Sequence, residues 1–197
     1  MSAAQRRITP ADILSDADYN ARRDGLRAQS IAEKKNRRIE VGPYATFTFE
    51  NYQSMWLQVQ EMLRIEKGGA EQIAGELDAY NPLIPQGDEL IATLMIEIED
   101  AARRERELSR LGHIEDAIFL DIGSERIKAT PTDYDERTTA EGKTSSVHWL
   151  RFKFTPVEIA AFKSGAERIV LGITHPNYGH MAVMPQSVRE ALAKDFA

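Results

Sequence analysis

The chain has 197 residues, 28% of them charged and 8% aromatic, with no cysteine and a formal net charge of -6. At this length a domain buries roughly 70% of the surface its unfolded chain exposes, so folding needs neither a metal nor a disulfide. The missing cysteines exclude disulfides, thiolate zinc sites, protein-held iron–sulfur clusters and cysteine nucleophiles. No apolar run approaches the roughly 20 residues of a membrane helix, and Met1 to Pro10 lacks the apolar core of a secretion signal. The expectation is therefore a cytoplasmic protein without a membrane partner.

Thr9-Pro10-Ala11-Asp12 and Ser15-Asp16-Ala17-Asp18 each pair a capping hydroxyl with carboxylates in the first turn. They predict a short helix followed by a long one to about Arg37, a helical N-terminal arm over residues 1–38. Ile39 and Val41, then Ala45 to Phe49 in strict alternation, read as two strands joined through Gly42-Pro43. From Asn51 the period becomes helical: Tyr52, Met55, Trp56, Val59, Met62 and Leu63 form one apolar stripe, with Gly68-Gly69 as the stop. A shorter helix from Ala70 ends at Asn81-Pro82, and Leu90 to Ile98 reads as a central strand, apolar on both faces until Glu97.

Ala101 to Leu111 is a charged helix, and Ile118 to Ile122 with Glu125 to Ala129 flank a Gly123-Ser124 hairpin turn. Residues 130–145 form a long polar loop of the kind that serves as a lid or stays disordered. Ser146 to Phe154 is a strand, Thr155 to Glu158 a capping box opening a helix that Gly165 ends, and Arg168 to Ile173 another strand. His175 to His180 turns into Met181 to Met184, and Pro185 opens a last helix carrying Val188, Leu192 and Phe196 inward. This order predicts one α+β domain over residues 1–197, with a mainly antiparallel sheet and helices packed on one face and at the termini.

Charge is unevenly placed. Between Arg22 and Arg38 seven basic residues face two acidic ones, whereas between Asp88 and Glu141 fifteen carboxylates face seven Lys and Arg. The basic arm can meet an anionic partner or dock on its own acidic body, and charge runs on helices usually do no more than face solvent or pair internally. Nucleic acid is disfavoured, because no aromatics are interleaved with the basic residues.

Four groups of residues could carry chemistry. Gln60, Glu61 and Arg64 share the polar face of the helix from Asn51 and can either pair on the surface or line a pocket under the segment Glu76 to Pro85. Within that segment Tyr80-Asn81-Pro82-Leu83-Ile84-Pro85 is apolar and stiffened by two prolines, so it is expected to pack against the core or a partner. His148 alternates with Leu150, Phe152 and Phe154, which puts it on the inward face with Arg151 on the other; a buried histidine needs a hydrogen-bond partner or a ligand. His175 and His180 bracket Pro-Asn-Tyr-Gly; were these four residues the loop of a hairpin, the imidazoles would face each other and, with a carboxylate such as Glu97, suit one transition-metal ion. The Pro-Asn-x-Gly core is equally explained as turn chemistry. No phosphate-binding glycine loop, HExxH, Gly-x-Ser-x-Gly or Gly-x-Gly-x-x-Gly is present.

Ile8-Thr-Pro-Ala-Asp-Ile-Leu, Phe49-Glu-Asn, Gln58 to Glu66, Glu76 to Pro85, Ser146 to Phe152 and His175-Pro-x-Tyr together resemble a bacterial family of unknown function. The resemblance implies members encoded beside rubrerythrin and an iron–sulfur oxidoreductase subunit, hence an accessory role in peroxide handling or electron transfer. It transfers no catalytic residues. The expectation is a non-catalytic accessory protein without a cofactor, binding a partner or small ligand through Gln60, Glu61, Arg64, Tyr80, Asn81, His148 and Arg151. Its partner would be a rubrerythrin-type or iron–sulfur protein, and self-association is left open. The rival expectation is a metal-binding protein or metal-dependent enzyme using His175 and His180, with His148.

Overall fold

The computed structural model describes residues 6–132 and 137–197. Among these residues eight strands form one antiparallel sheet: β1 (Arg38–Val41), β2 (Ala45–Phe49), β3 (Glu89–Ile96), β4 (Ile118–Ile122), β5 (Glu125–Pro131), β6 (Val147–Lys153), β7 (Ile169–His175) and β8 (Tyr178–Val183), in the order β1-β2-β3-β6-β5-β4-β7-β8. Six α-helices of the described residues accompany it: α1 (Asp16–Lys34), α2 (Tyr52–Glu66), α3 (Gly69–Tyr80), α4 (Ala101–Leu108), α5 (Pro156–Ser164) and α6 (Gln186–Leu192). The α+β expectation holds, with one addition. The sheet curls until β8 meets β1, and so wraps its own core like a barrel.

Hydrogen bonds to one side chain span that seam. The buried Tyr178 hydroxyl donates to the Val41 carbonyl at 2.7 Å and accepts from the amides of Tyr44 and Ala45 at 3.1 Å each. Gly42 makes the approach feasible: it sits at φ +73, and a β-carbon there would meet the His180 ring and the Tyr178 hydroxyl at 2.6 to 2.7 Å. The His180 ring stacks on Tyr178 with centroids 4.4 Å apart.

Alternation along the strands builds two cores. Inside the barrel lie Phe47, Phe49, Leu90, Ala92, Leu94, Leu150, Phe152, Leu120 and Leu171. One end is plugged by Phe154, Phe162 and Phe196, whose rings meet edge to face. Outside, Ile91 and Trp149 of the same two central strands meet Tyr52, Met55, Trp56, Val59 and Leu77 of α2 and α3. β3 is apolar on both faces because each face meets a different core, and the helical layer seals one side of the barrel. A buried carboxylate ties the layers: Glu50 accepts from Ser54 at 2.6 Å and from Thr93 at 2.7 Å.

Local signals acted largely as read. Asn51 caps α2 through the Ser54 amide, and the Thr155/Glu158 capping box opens α5. α2 does not stop on its glycines: Lys67 takes the left-handed conformation at φ 53 and returns its amide to Leu63. The His175 hairpin turns more tightly than expected, on Pro176 and Asn177, with His175 opposite Tyr178 and Ile173 opposite His180. Of the polar loop 130–145, residues 133–136 lie outside the described residues. The remainder is structured, with Thr138 bridged to Thr144 and both buried. No helix of the described residues is long and apolar enough to cross a membrane.

Much of the basic arm docks internally. Arg23 pairs with Glu61, Arg37 with Asp195, and Arg38 with Glu97.

Candidate functional site

The residues expected to converge on one pocket do not. His148 faces the barrel interior, fully buried, whereas α2 lies outside the wall, so no cavity can hold both His148 and the polar face of that helix. Arg151, three residues on, faces outward and pairs with Glu89 at 3.1 Å. The His148 Nε2 lies 3.0 Å from the Ser145 carbonyl and 3.2 Å from the Thr144 hydroxyl, and its Nδ1 is 3.5 Å from Glu115. Because a carbonyl only accepts, Nε2 carries a hydrogen. This histidine closes the end of the barrel beneath the 137–146 segment.

Glu61 and Arg64 hold the N-terminal arm, and Arg64 also lines a shallow hollow with Asp16, Asn20, Ile65 and Lys67, away from His148 and Tyr80. The Glu61 carboxylate receives both the Nε and Nη2 of Arg23, at 2.7 and 2.9 Å, and the Tyr19 hydroxyl at 2.5 Å. These bonds, Arg23 foremost, hold its pKa down at about 2. Arg64 donates to Asn20, and Gln60 is buried within the helical layer. Tyr80 packs partly buried against the outer core. Asn81 clamps the backbone of Ile8 from both sides, accepting from its amide at 2.7 Å and donating to its carbonyl at 3.0 Å.

His175 and His180 are likewise apart in role. His175 is fixed by the Gly112 carbonyl and the Asn177 amide, while His180 leans on Tyr178 at the seam. Among the described residues no group of three or more His, Asp or Glu side chains is placed to hold a metal ion.

A cleft of about 460 Å³ opens elsewhere, at the other end of α2. Its walls come from six places in the chain: Arg6 of the N-terminal segment, Gln29 and Glu33 at the end of α1, Asn36 and Arg37 before β1, Asn51 to Gln53 at the start of α2, Ile84-Pro85 across from them, and Ala191, Lys194 and Asp195 at the end of α6. Its volume falls in the range of small-molecule sites.

The floor is built on Arg37, only 7% exposed. Its guanidinium donates to the carbonyls of Phe49 at 2.8 Å and Glu50 at 3.0 Å, and pairs with both oxygens of Asp195. Burial raises the Asp195 carboxyl above its ordinary range although Arg37 pulls the other way. Arg6 crosses Gly87 and spends its Nη1 on the carbonyls of Pro85 at 2.9 Å and Asp195 at 3.0 Å. At the back, burial pushes the Tyr52 phenol up to about 12, and the Asp12 carboxylate adds to the shift.

Of the sequence candidates, the basic run, the α2 helix and the rigid proline loop border this cleft, the helix by residues other than Gln60, Glu61 and Arg64. Arg37 stands in the basic run, Asn51 in the resemblance and Pro85 in the apolar loop. Nothing in the sequence marks Arg6, Lys194 and Asp195, because only folding brings the two ends of the chain together.

The fold and cleft thus define a curled eight-stranded antiparallel sheet with a helical layer on one side and a polar cleft where the ends of the described chain meet. The chain belongs to the family described as "Protein of unknown function (DUF3501)", whose model matches residues 7–196. It is similar to a protein from Burkholderia pseudomallei whose crystal structure is described as a novel protein of unknown function. The two share 36% identity over 96% of this chain and 99% of that one, with a TM-score of 0.89. No curated protein matches the chain.

Proposed function

We propose that this protein is a non-catalytic accessory factor that holds a small polar ligand in the cleft between Arg6, Arg37, Gln53 and Lys194. The observation that supports this reading is the cleft itself: a ligand-sized space floored by a buried arginine whose donors are fixed on backbone carbonyls. Such a floor is ordered before a ligand arrives, which lowers the entropic cost of binding. The setting implied by the family resemblance is cytoplasmic, beside a rubrerythrin-type or iron–sulfur protein. Without cysteine the sequence offers no thiol for their redox chemistry, which supports a part played by binding.

The test is a thermal-shift panel of small polar metabolites on the native protein and on Gln53→Trp, which fills the cleft from its rim. A ligand at about 100 times its Kd stabilises the fold by about 2.7 kcal/mol. Stabilisation that Gln53→Trp abolishes supports the reading; stabilisation that survives the filled cleft refutes it. For the setting, titration against a purified rubrerythrin-type protein should show association in the micromolar range or tighter, and its absence removes that part of the proposal.

A further inference from the structure

We infer that the ligand class of this cleft is a small anion bearing a carboxylate or phosphate group; the inference rests on the cleft being a ligand site. The choice of class turns on which charged groups are already spent and which are not. Two carboxylates border the cleft, Glu33 and Asp195. Asp195 is spent, since both its oxygens take the Arg37 guanidinium; Glu33 accepts only from the neutral Gln29 amide at 2.9 Å and keeps its charge, so it offsets one of the two cations that remain, Arg6 and Lys194.

The cations are less fully used. Arg6 commits only Nη1, and both its acceptors are neutral carbonyls, leaving Nε and Nη2 to donate. Lys194 is exposed and makes no ion pair among the described residues. The Asn51 side chain serves the Ser54 amide, which leaves the Tyr52 and Gln53 amides without an acceptor among the described residues, at the positive end of a 15-residue helix.

A neutral ligand would leave this surplus of donors unanswered, whereas an anion takes charge-assisted bonds from Arg6 and Lys194. The fork of Arg6 is already held by Pro85 and Asp195, so an oxyanion meets it without reordering the side chain. At about 460 Å³ the cleft has room for more than one oxyanion with its waters. That fits a phosphorylated metabolite or a polycarboxylate better than bare phosphate. In a chain of net charge -6 the cleft is thus a local positive site on an acidic body.

The experiment is calorimetry on the full chain at matched ionic strength, so that screening cannot pass for binding. The probes are inorganic phosphate, citrate and neutral myo-inositol, and the variants are Lys194→Gln, Arg6→Lys and Gln53→Trp. Lys194 is exposed and Arg6→Lys keeps the charge, so these two test the site without risking the fold. The expected result is binding of phosphate or citrate, weakened about tenfold by Lys194→Gln and measurably by Arg6→Lys, and lost in Gln53→Trp. The stronger of the two anions identifies the source of the charge. Inositol binding that Gln53→Trp abolishes and Lys194→Gln leaves intact overturns the anion class while the cleft reading stands. Anion binding indifferent to all three variants overturns both, and no heat with either anion overturns the anion inference.

Discussion

Replacing Tyr178 with phenylalanine removes one oxygen and tests how the barrel is closed. That oxygen donates to the Val41 carbonyl at 2.7 Å and accepts from the amides of Tyr44 and Ala45 at 3.1 Å. The variant keeps the ring, its buried area and its stacking on His180, so the loss is confined to three polar contacts. Each buried backbone group left without a partner costs about 1–3 kcal/mol, and some of that is recovered where β1 and β2 can pair among themselves. A total of about 2–4 kcal/mol follows, which for a chain near 200 residues is a fall in Tm of about 4–16 °C. The assay is a reversible melt followed by circular dichroism, with Tyr44→Phe as the control for loss of a half-buried phenol that bridges nothing at the seam. A fall of less than about 2 °C in Tyr178→Phe would show that β1 and β8 are held by packing alone, and would refute the idea that this hydroxyl closes the barrel.

Arg37→Met should cost about 3–5 kcal/mol, because it leaves the Asp195 carboxylate buried and alone, and Arg37→Met with Asp195→Leu should recover part of that loss in urea titration. For Glu61 the folded pKa of about 2 lies below the ordinary 4.5, so its contribution is present above pH 4.5 and lost as the pH falls toward 2. Glu61→Gln should therefore flatten the stability profile in that window by about 1–2 kcal/mol, allowing for screening of a partly exposed pair, and leave it unchanged at neutral pH apart from a constant offset. Asn81→Ala removes both clamps on Ile8, and limited proteolysis should cut the N-terminal segment several-fold faster while the global melt moves by about 1–2 kcal/mol.

The elements were legible because their signals are local. The Thr155/Glu158 capping box, the Gly123-Ser124 turn and the stripe from Tyr52 to Leu63 each specify a conformation within a few residues. The inward position of His148 was legible too, since period-two alternation needs no knowledge of what lies opposite. What the alternation cannot say is whether the inward face belongs to a flat sheet under helices or to the inside of a barrel. That depends on Tyr178 reaching Val41, and this contact spans 137 positions of sequence. The cleft was hidden for the same reason: Arg6 and Asp195 are 189 positions apart. Glu61 and Arg64, on the polar face of α2, meet Arg23, Tyr19 and Asn20 of α1, and a helix-docking face is hard to tell from a binding face. In sequence the two look alike, because both place charged groups at helical spacing.

The two-sided burial of β3 raises the question of what sets its register. In a strand polar on one face, a slip of one residue turns apolar side chains to water and is heavily penalised. Leu90, Ile91 and Ala92 are all buried, so such a slip would cost these residues little exposure, and hydrophobicity is a weak ruler along this stretch. The polar neighbours serve as index marks instead. Thr93 must meet the buried Glu50, and Glu89, buried at the strand's start, must meet Arg151 and Lys153. Either slip strands a carboxylate away from its partners. On this view Glu50 and Glu89 act less by adding stability than by selecting one alignment of the central strand among several of similar apolar burial.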